Sequence, residues 1–149
     1  IGSPDAGGME RARVFAKELK DSGLVMTDKR RPAPNMAEIT KVIGDVVGKD
    51  VILIDDMIDT GGTAAKSAEA IVKSGANSVS MFCTHGVLSG DAVRNIENSH
   101  IEELIITDTI NNQEKLKGSK KIKVLTVADL IAEAIKRIVS NKSISQLFS

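Results

Sequence analysis

The residues best suited to chemistry lie near the middle of the chain, in the string Val51-Ile52-Leu53-Ile54-Asp55-Asp56-Met57-Ile58-Asp59-Thr60-Gly61-Gly62-Thr63. An apolar β-branched run delivers two adjacent carboxylates, and Asp-Thr-Gly-Gly-Thr then opens a helix. The glycines let backbone amides approach a ligand closely, and a helix N-terminus adds unpaired donors and partial positive charge. Thr60 and Thr63 add hydroxyls. That part of the string suits a phosphate. Asp55 and Asp56 would repel a phosphate and suit donors instead, either sugar hydroxyls or a divalent cation. A lone Asp59 or Thr60 could serve only as a helix cap, and a bare Gly-Gly as a turn. The whole string is too specific for that reading.

Other groups are less specific by themselves. Asp5, in Ser3-Pro4-Asp5-Ala6-Gly7-Gly8, is either a turn residue or a metal ligand. Lys29-Arg30-Arg31 is an anion patch or a solvated loop. His85 follows an apolar strand and could reach a ligand or simply be hydrogen-bonded. His100 reads as surface and Cys83 as core. No serine or cysteine nucleophile pairs with a histidine in the sequence pattern, and no Cys/His spacing suits zinc.

The elements that must position these groups alternate. A first helix ends at Asp21-Ser22-Gly23, with Met9, Ala12, Phe15, Ala16 and Leu19 on one face. Leu24–Thr27 reads as a short strand, Asp28–Asn35 as a charged loop with two prolines, and Glu38–Ile43 as an edge strand. Val51–Ile54 is a strand buried on both faces. Thr63–Ser74 is a helix closed by Gly75. Val79–Cys83 and Leu104–Ile106 are buried strands with a helix over Ser89–Asn98 between them. Asn111–Lys121 is a surface loop and Ile122–Leu125 a strand. Val127, Leu130, Ile131, Ala134, Ile135 and Ile138 then make a helix with a wide apolar stripe, before a tail from Ser140 to Ser149. This order predicts an α/β fold: a doubly wound, mostly parallel sheet with helices on both faces. Ligands in such sheets sit at the carboxyl ends of strands.

With 149 residues, the chain suits one domain over residues 1–149. Lys and Arg number 20 and Asp and Glu number 20, a balance that argues against a polyanion binder such as nucleic acid. Three Phe with no Trp or Tyr give no base-stacking surface. No apolar run approaches the ~20 residues of a membrane span. A single cysteine fits a reducing, cytoplasmic compartment. The start, Ile1-Gly2-Ser3-Pro4, is read as a processed or truncated end without a signal peptide.

The acidic pair with Asp59-Thr60-Gly61-Gly62-Thr63 resembles the ribose-phosphate motif of the type I phosphoribosyltransferase fold. Ser3–Gly8, Asp28-Lys29-Arg30-Arg31-Pro32, Thr84-His85-Gly86-Val87-Leu88-Ser89-Gly90 and Ile131-Ala132-Glu133-Ala134-Ile135-Lys136-Arg137 resemble, in order, the C-terminal half of the ribose-phosphate pyrophosphokinases. That family moves the β,γ-pyrophosphoryl group of ATP to the anomeric hydroxyl of ribose 5-phosphate, with Mg2+. The resemblance implies that Asp59, Thr60, Gly61, Gly62 and Thr63 hold the 5-phosphate. It implies that Asp55 and Asp56 hold the ribose hydroxyls, that Asp5 places the metal, and that Lys29 and Arg31 are catalytic, Arg31 also contacting substrate. It further implies a dimer-based hexamer for a full-length protein whose other half supplies most of the ATP pocket, so the isolated chain is expected to be nearly inactive. The tail Ser143–Phe148 resembles a segment near that family's regulatory site. Two alternatives remain open: a phosphoribosyltransferase using phosphoribosyl pyrophosphate, and a non-catalytic regulatory homologue.

Overall fold

The computed structural model describes residues 1–19, 22–30 and 39–147. Among them, seven strands form one sheet: β1 (Gly2–Ser3), β2 (Val25–Arg30), β3 (Ile39–Ile43), β4 (Asp50–Ile58), β5 (Ser78–Gly86), β6 (Glu103–Thr107) and β7 (Ile122–Leu125). Four α-helices accompany them: α1 (Met9–Glu18), α2 (Gly62–Lys73), α3 (Ala92–Glu97) and, after the last strand, α4 (Ala128–Val139). The strand order is β3-β2-β1-β4-β5-β6-β7. Every neighbouring pair is parallel except β2 and β3. The doubly wound reading therefore holds, with β3 at one edge as expected.

The alternation of strand side chains builds two unequal faces. Val51, Leu53, Val79, Met81, Leu104 and Ile106 are buried with Ala64, Ala68 and Ile71 of α2 and Ala92 and Ile96 of α3 in one core. On the other face, Phe15 of α1 shares a shallow apolar cavity of about 350 Å³ with Ile54, Phe82, Ile105 and Leu125.

Several boundaries differ from the expectation. β2 runs on through Arg30, so residues 28–30 are strand rather than loop. They pair antiparallel with β3, Asp28 opposite Lys41 and Lys29 opposite Thr40, and such a distant partner overrides local charge. β4 and β5 extend beyond their apolar runs because each continues to pair with the other as far as Ile58 and Gly86. α3 is shorter than Ser89–Asn98, since Leu88 and Gly90 take positive φ and hold the preceding segment out of helix. The apolar stripes of the outer helices are largely bare. Ala12 is buried but Phe15 and Leu19 of the first helical run are 45% and 47% exposed. No residue of α4 is buried.

Candidate functional site

The chain leaves β1 through α1 toward β2 on one side, and leaves β4 through α2 toward β5 on the other, while β1 and β4 themselves are neighbours. This reversal of winding opens a crevice at the carboxyl ends of β1 and β4. The pairing of Gly2 with Leu53 puts the Pro4–Asp5 turn beside the end of β4. A cavity of about 270 Å³ lies there, lined by Pro4, Asp5, Asp55, Asp56, residues 57–61, Thr63, Ala64 and Met81.

The turn that carries Asp5 is tightly fixed. Asp5 Oδ1 accepts the Gly8 amide at 3.0 Å, so the turn chemistry anticipated for it is present. A Cβ on Gly8 would lie 2.3 Å from Ser3 Oγ, so any other residue would force that hydroxyl aside. From below, the buried hydroxyl of Thr27 donates to Pro4 O at 2.8 Å and lies 2.8 Å from Ser67 Oγ on α2. Strand β2 and helix α2 thus hold the Asp5 turn against the end of β4.

Glycine shapes the loop that opens α2. Gly61 is the N-cap of α2 at φ +74°, and its carbonyl accepts the Ala65 amide at 3.0 Å. Its missing Cβ would sit 3.3 Å from the Ala92 carbonyl and 3.4 Å from Ile96. The conformation strains any other residue there, and the space for a Cβ is tight. Gly62 begins α2 and, unlike Asp59, Thr60, Gly61 and Thr63, does not line the cavity.

Sequence reasoning missed Arg11. It lies in the first helical turns of α1, and its guanidinium spans the acidic pair: Nη1 to Asp55 Oδ1 at 3.5 Å and Nη2 to Asp56 Oδ2 at 3.1 Å. An arginine just inside a helix that follows a glycine-rich turn was the available signal, but only the neighbouring of β1 and β4 brings it within reach. The two carboxyls divide electrostatically. Burial, with Asp5 and Asp56 adding negative charge, pushes Asp55 up to about 6. Asp56 moves the other way: the hydrogen bond it shares with Asp55 and the charge of Arg11 hold it below the usual carboxylate range. Adjacent carboxyls shifted in opposite directions, one by burial and the other by its hydrogen bond to its neighbour and an arginine, are a pattern concentrated at functional sites.

The remaining candidates separate. Lys29 lies on β2 by its backbone, and its side chain falls outside what the structure describes, as does the whole of Arg31. His85 Nδ1 lies 2.9 Å from Thr109 Oγ1, and the ring does not line the cavity. Cys83 is buried, and burial pushes its thiol up to about 12, consistent with its reading as an inert core residue. Among the described residues no three His, Cys, Asp or Glu side chains are grouped as a metal cage. The oxygen donors of the cavity nonetheless fit Mg2+, which is commonly held by one or two carboxylates with substrate oxygens completing its shell. Among the described residues no helix is long and apolar enough to cross a membrane.

Comparison with known proteins gives a consistent set of relatives. Residues 16–149 match the model of the phosphoribosyl synthetase-associated domain. The chain is 48% identical over 147 residues to the ribose-phosphate pyrophosphokinase of Pasteurella multocida, covering 99% of this chain and 47% of that protein. It is 50% identical over 148 residues to the one from Coxiella burnetii, covering 99% of this chain and 46% of the relative. Among solved structures, phosphoribosylpyrophosphate synthetase from Mycobacterium smegmatis superposes with a TM-score of 0.84 at 36% identity, over 94% of this chain and 44% of that one. The chain spans about half the length of the curated relatives it matches.

Proposed function

The chain belongs to the phosphoribosyl synthetase-associated domain family, and from that premise we propose that it is the C-terminal half, one domain over residues 1–149, of a ribose-phosphate pyrophosphokinase. In the proposed reaction the anomeric hydroxyl of ribose 5-phosphate attacks the β-phosphorus of ATP. The bond from that phosphorus to the α-phosphate oxygen breaks, AMP leaves, the hydroxyl proton is lost, and phosphoribosyl pyrophosphate remains.

The observation that carries this reading is the single cavity where a phosphate-type loop and an acidic pair meet at the switch point of the sheet. Residues 59–63 cradle the 5-phosphate with backbone amides, the Thr60 and Thr63 hydroxyls and the N-terminus of α2. Asp55 and Asp56 accept hydrogen bonds from the ribose hydroxyls and orient the sugar for in-line attack. Arg11 keeps the acidic pair in place. Asp5 is assigned to Mg2+, which when bound neutralises charge on the migrating group. Lys29 and Arg31 are assigned to stabilising that group in transit, a role that positioning and charge can fill without covalent catalysis. A cytoplasmic location and a dimer-based hexamer of the full-length protein complete the proposal.

Calorimetric titration of ribose 5-phosphate into the 149-residue chain tests the site. Saturable binding that Asp55→Ala abolishes is expected, with negligible turnover of ATP because half of the relatives' length is absent. No binding at all would sink the phosphate-loop assignment. In the full-length protein, labelled ATP must yield AMP. Release of free pyrophosphate from phosphoribosyl pyrophosphate would instead mark a phosphoribosyltransferase.

A further inference from the structure

A second layer of hydrogen bonds lies behind the phosphate-type loop and fixes which way its peptides face. The Ile58 carbonyl accepts the amides of Val87 and Leu88 at 3.0 and 3.2 Å, and the Asp59 carbonyl accepts the Ser89 amide at 3.1 Å. The Thr60 carbonyl accepts Nδ2 of Asn95 at 2.9 Å. Three successive carbonyls are therefore drawn back toward the segment that links β5 to α3 and toward α3 itself. In a trans peptide the carbonyl and the following N–H point in opposite directions. The amides of Asp59, Thr60 and Gly61 are thereby turned the other way. That is the side of the cavity, which Asp59, Thr60 and Gly61 line and no residue of the 86–95 segment does.

The Thr60–Gly61 peptide differs from the other two, because a side chain holds it. Backbone amides of residues 87–89 supply the earlier bonds and would do so with many sequences. By Asn95 the chain is already helical, and its own amide is engaged with Asp91 O at 2.9 Å, so only a side chain can reach Thr60. This peptide also has the greatest need of a lock. Gly61 adopts φ of either sign at little cost, so the peptide before it can rotate until its carbonyl, rather than its N–H, faces the cavity. A carbonyl there would repel an anion. Helix α3 stands immediately behind, with the Ala92 carbonyl and Ile96 in contact range of the place a Gly61 Cβ would take.

We propose that Asn95 is a positioning residue for phosphate binding, its carboxamide locking the Thr60–Gly61 peptide with the Gly61 N–H toward the ligand. The proposal rests on the reading of residues 59–63 as the phosphate loop. It is tested by titrating inorganic phosphate and, separately, ribose 5-phosphate into the unsubstituted chain, Asn95→Ala and Asn95→Gln. Binding is followed by calorimetry, and the Gly61 amide by its nitrogen and proton resonances. Loss of one hydrogen bond that orients a charged-ligand contact is expected to weaken both ligands about tenfold in Asn95→Ala. The shift of the Gly61 amide at saturating phosphate should shrink with it. Asn95→Gln retains the donor and should recover most of the affinity and of the shift. Wild-type affinity in Asn95→Ala would overturn the proposal. So would weakened binding with an undiminished Gly61 shift and no recovery in Asn95→Gln, which would mark a merely structural residue. Failure of the unsubstituted chain to bind either ligand would overturn the phosphate-loop reading itself, and this role with it.

Discussion

Replacing Asp55 with asparagine is expected to stabilise the chain above neutral pH while removing part of the sugar clamp proposed for it. Burial raises the Asp55 carboxyl from its ordinary 3.8 to about 6, so the folded chain binds this proton more tightly than the unfolded chain does. Between those two values stability must fall as pH rises, because the folded state still holds a proton that the unfolded state has released. Fully expressed, a displacement of that size corresponds to about 3 kcal/mol. The Asp55 side chain is 19% exposed and lies against Arg11, and Asp56 is shifted in the opposite direction. With these offsets the net gain from Asp55→Asn is expected to be about 1 kcal/mol at pH 7.5. Asparagine keeps the shape and discards the charge, so the gain should be smallest near pH 4 and grow through pH 6. Urea unfolding of both proteins at pH 4, 6 and 7.5, with equal denaturant slopes, measures it directly. Calorimetry at pH 7.5 should show ribose 5-phosphate binding lost or much reduced in the same variant. A difference that does not change with pH, or a variant less stable than its parent at pH 7.5, would refute the reasoning.

Other substitutions probe the supports of the site. Gly61→Ala forces a side chain to φ +74° and against the Ala92 carbonyl, so it should cost about 1–2 kcal/mol and weaken phosphate binding; thermal unfolding and phosphate titration check both effects. Thr27→Val leaves Pro4 O and Ser67 Oγ without their buried partner and should destabilise the chain by about 1–3 kcal/mol in urea unfolding; a neutral result would dismiss the role of that hydroxyl in fixing the Asp5 turn. Arg11→Met should cost under about 1 kcal/mol, since the ion pairs are half-exposed, but should raise the Asp56 midpoint, as carboxyl carbon titration by NMR would show. The same variant should bind ribose 5-phosphate more weakly, and unchanged affinity would remove Arg11 from the site.

The sequence alone determined the kinds of element, their order and the glycine turn that opens α2. These are written in local patterns. The run from Val51 to Ile54 reads as a strand and forms one, and Gly61 takes a left-handed conformation that glycine adopts without strain. The acidic pair was legible for the same reason, being adjacent in the chain. What depends on distant partners was not legible. β2 continues through Arg30 because β3 pairs with it, although its residues carry the charges of a loop. The helical stripe of α4 was correctly seen as apolar, yet no periodicity can say whether another element covers it, and here none of its residues is buried.

Tertiary structure decided that β1 lies beside β4. Pairing between strands far apart in sequence, with α1 and α2 carrying the chain away in opposite directions, fixes that neighbourhood. Through it Asp5 faces Asp55, and Arg11, which no sequence motif singled out, spans the acidic pair. Asn95 reaches the Thr60 carbonyl by the same logic from α3. Local sequence supplied the glycine turn and the acidic pair, while the groups that touch them came from elements joined only by the sheet, because side-chain reach is a property of distance in space and not of separation along the chain.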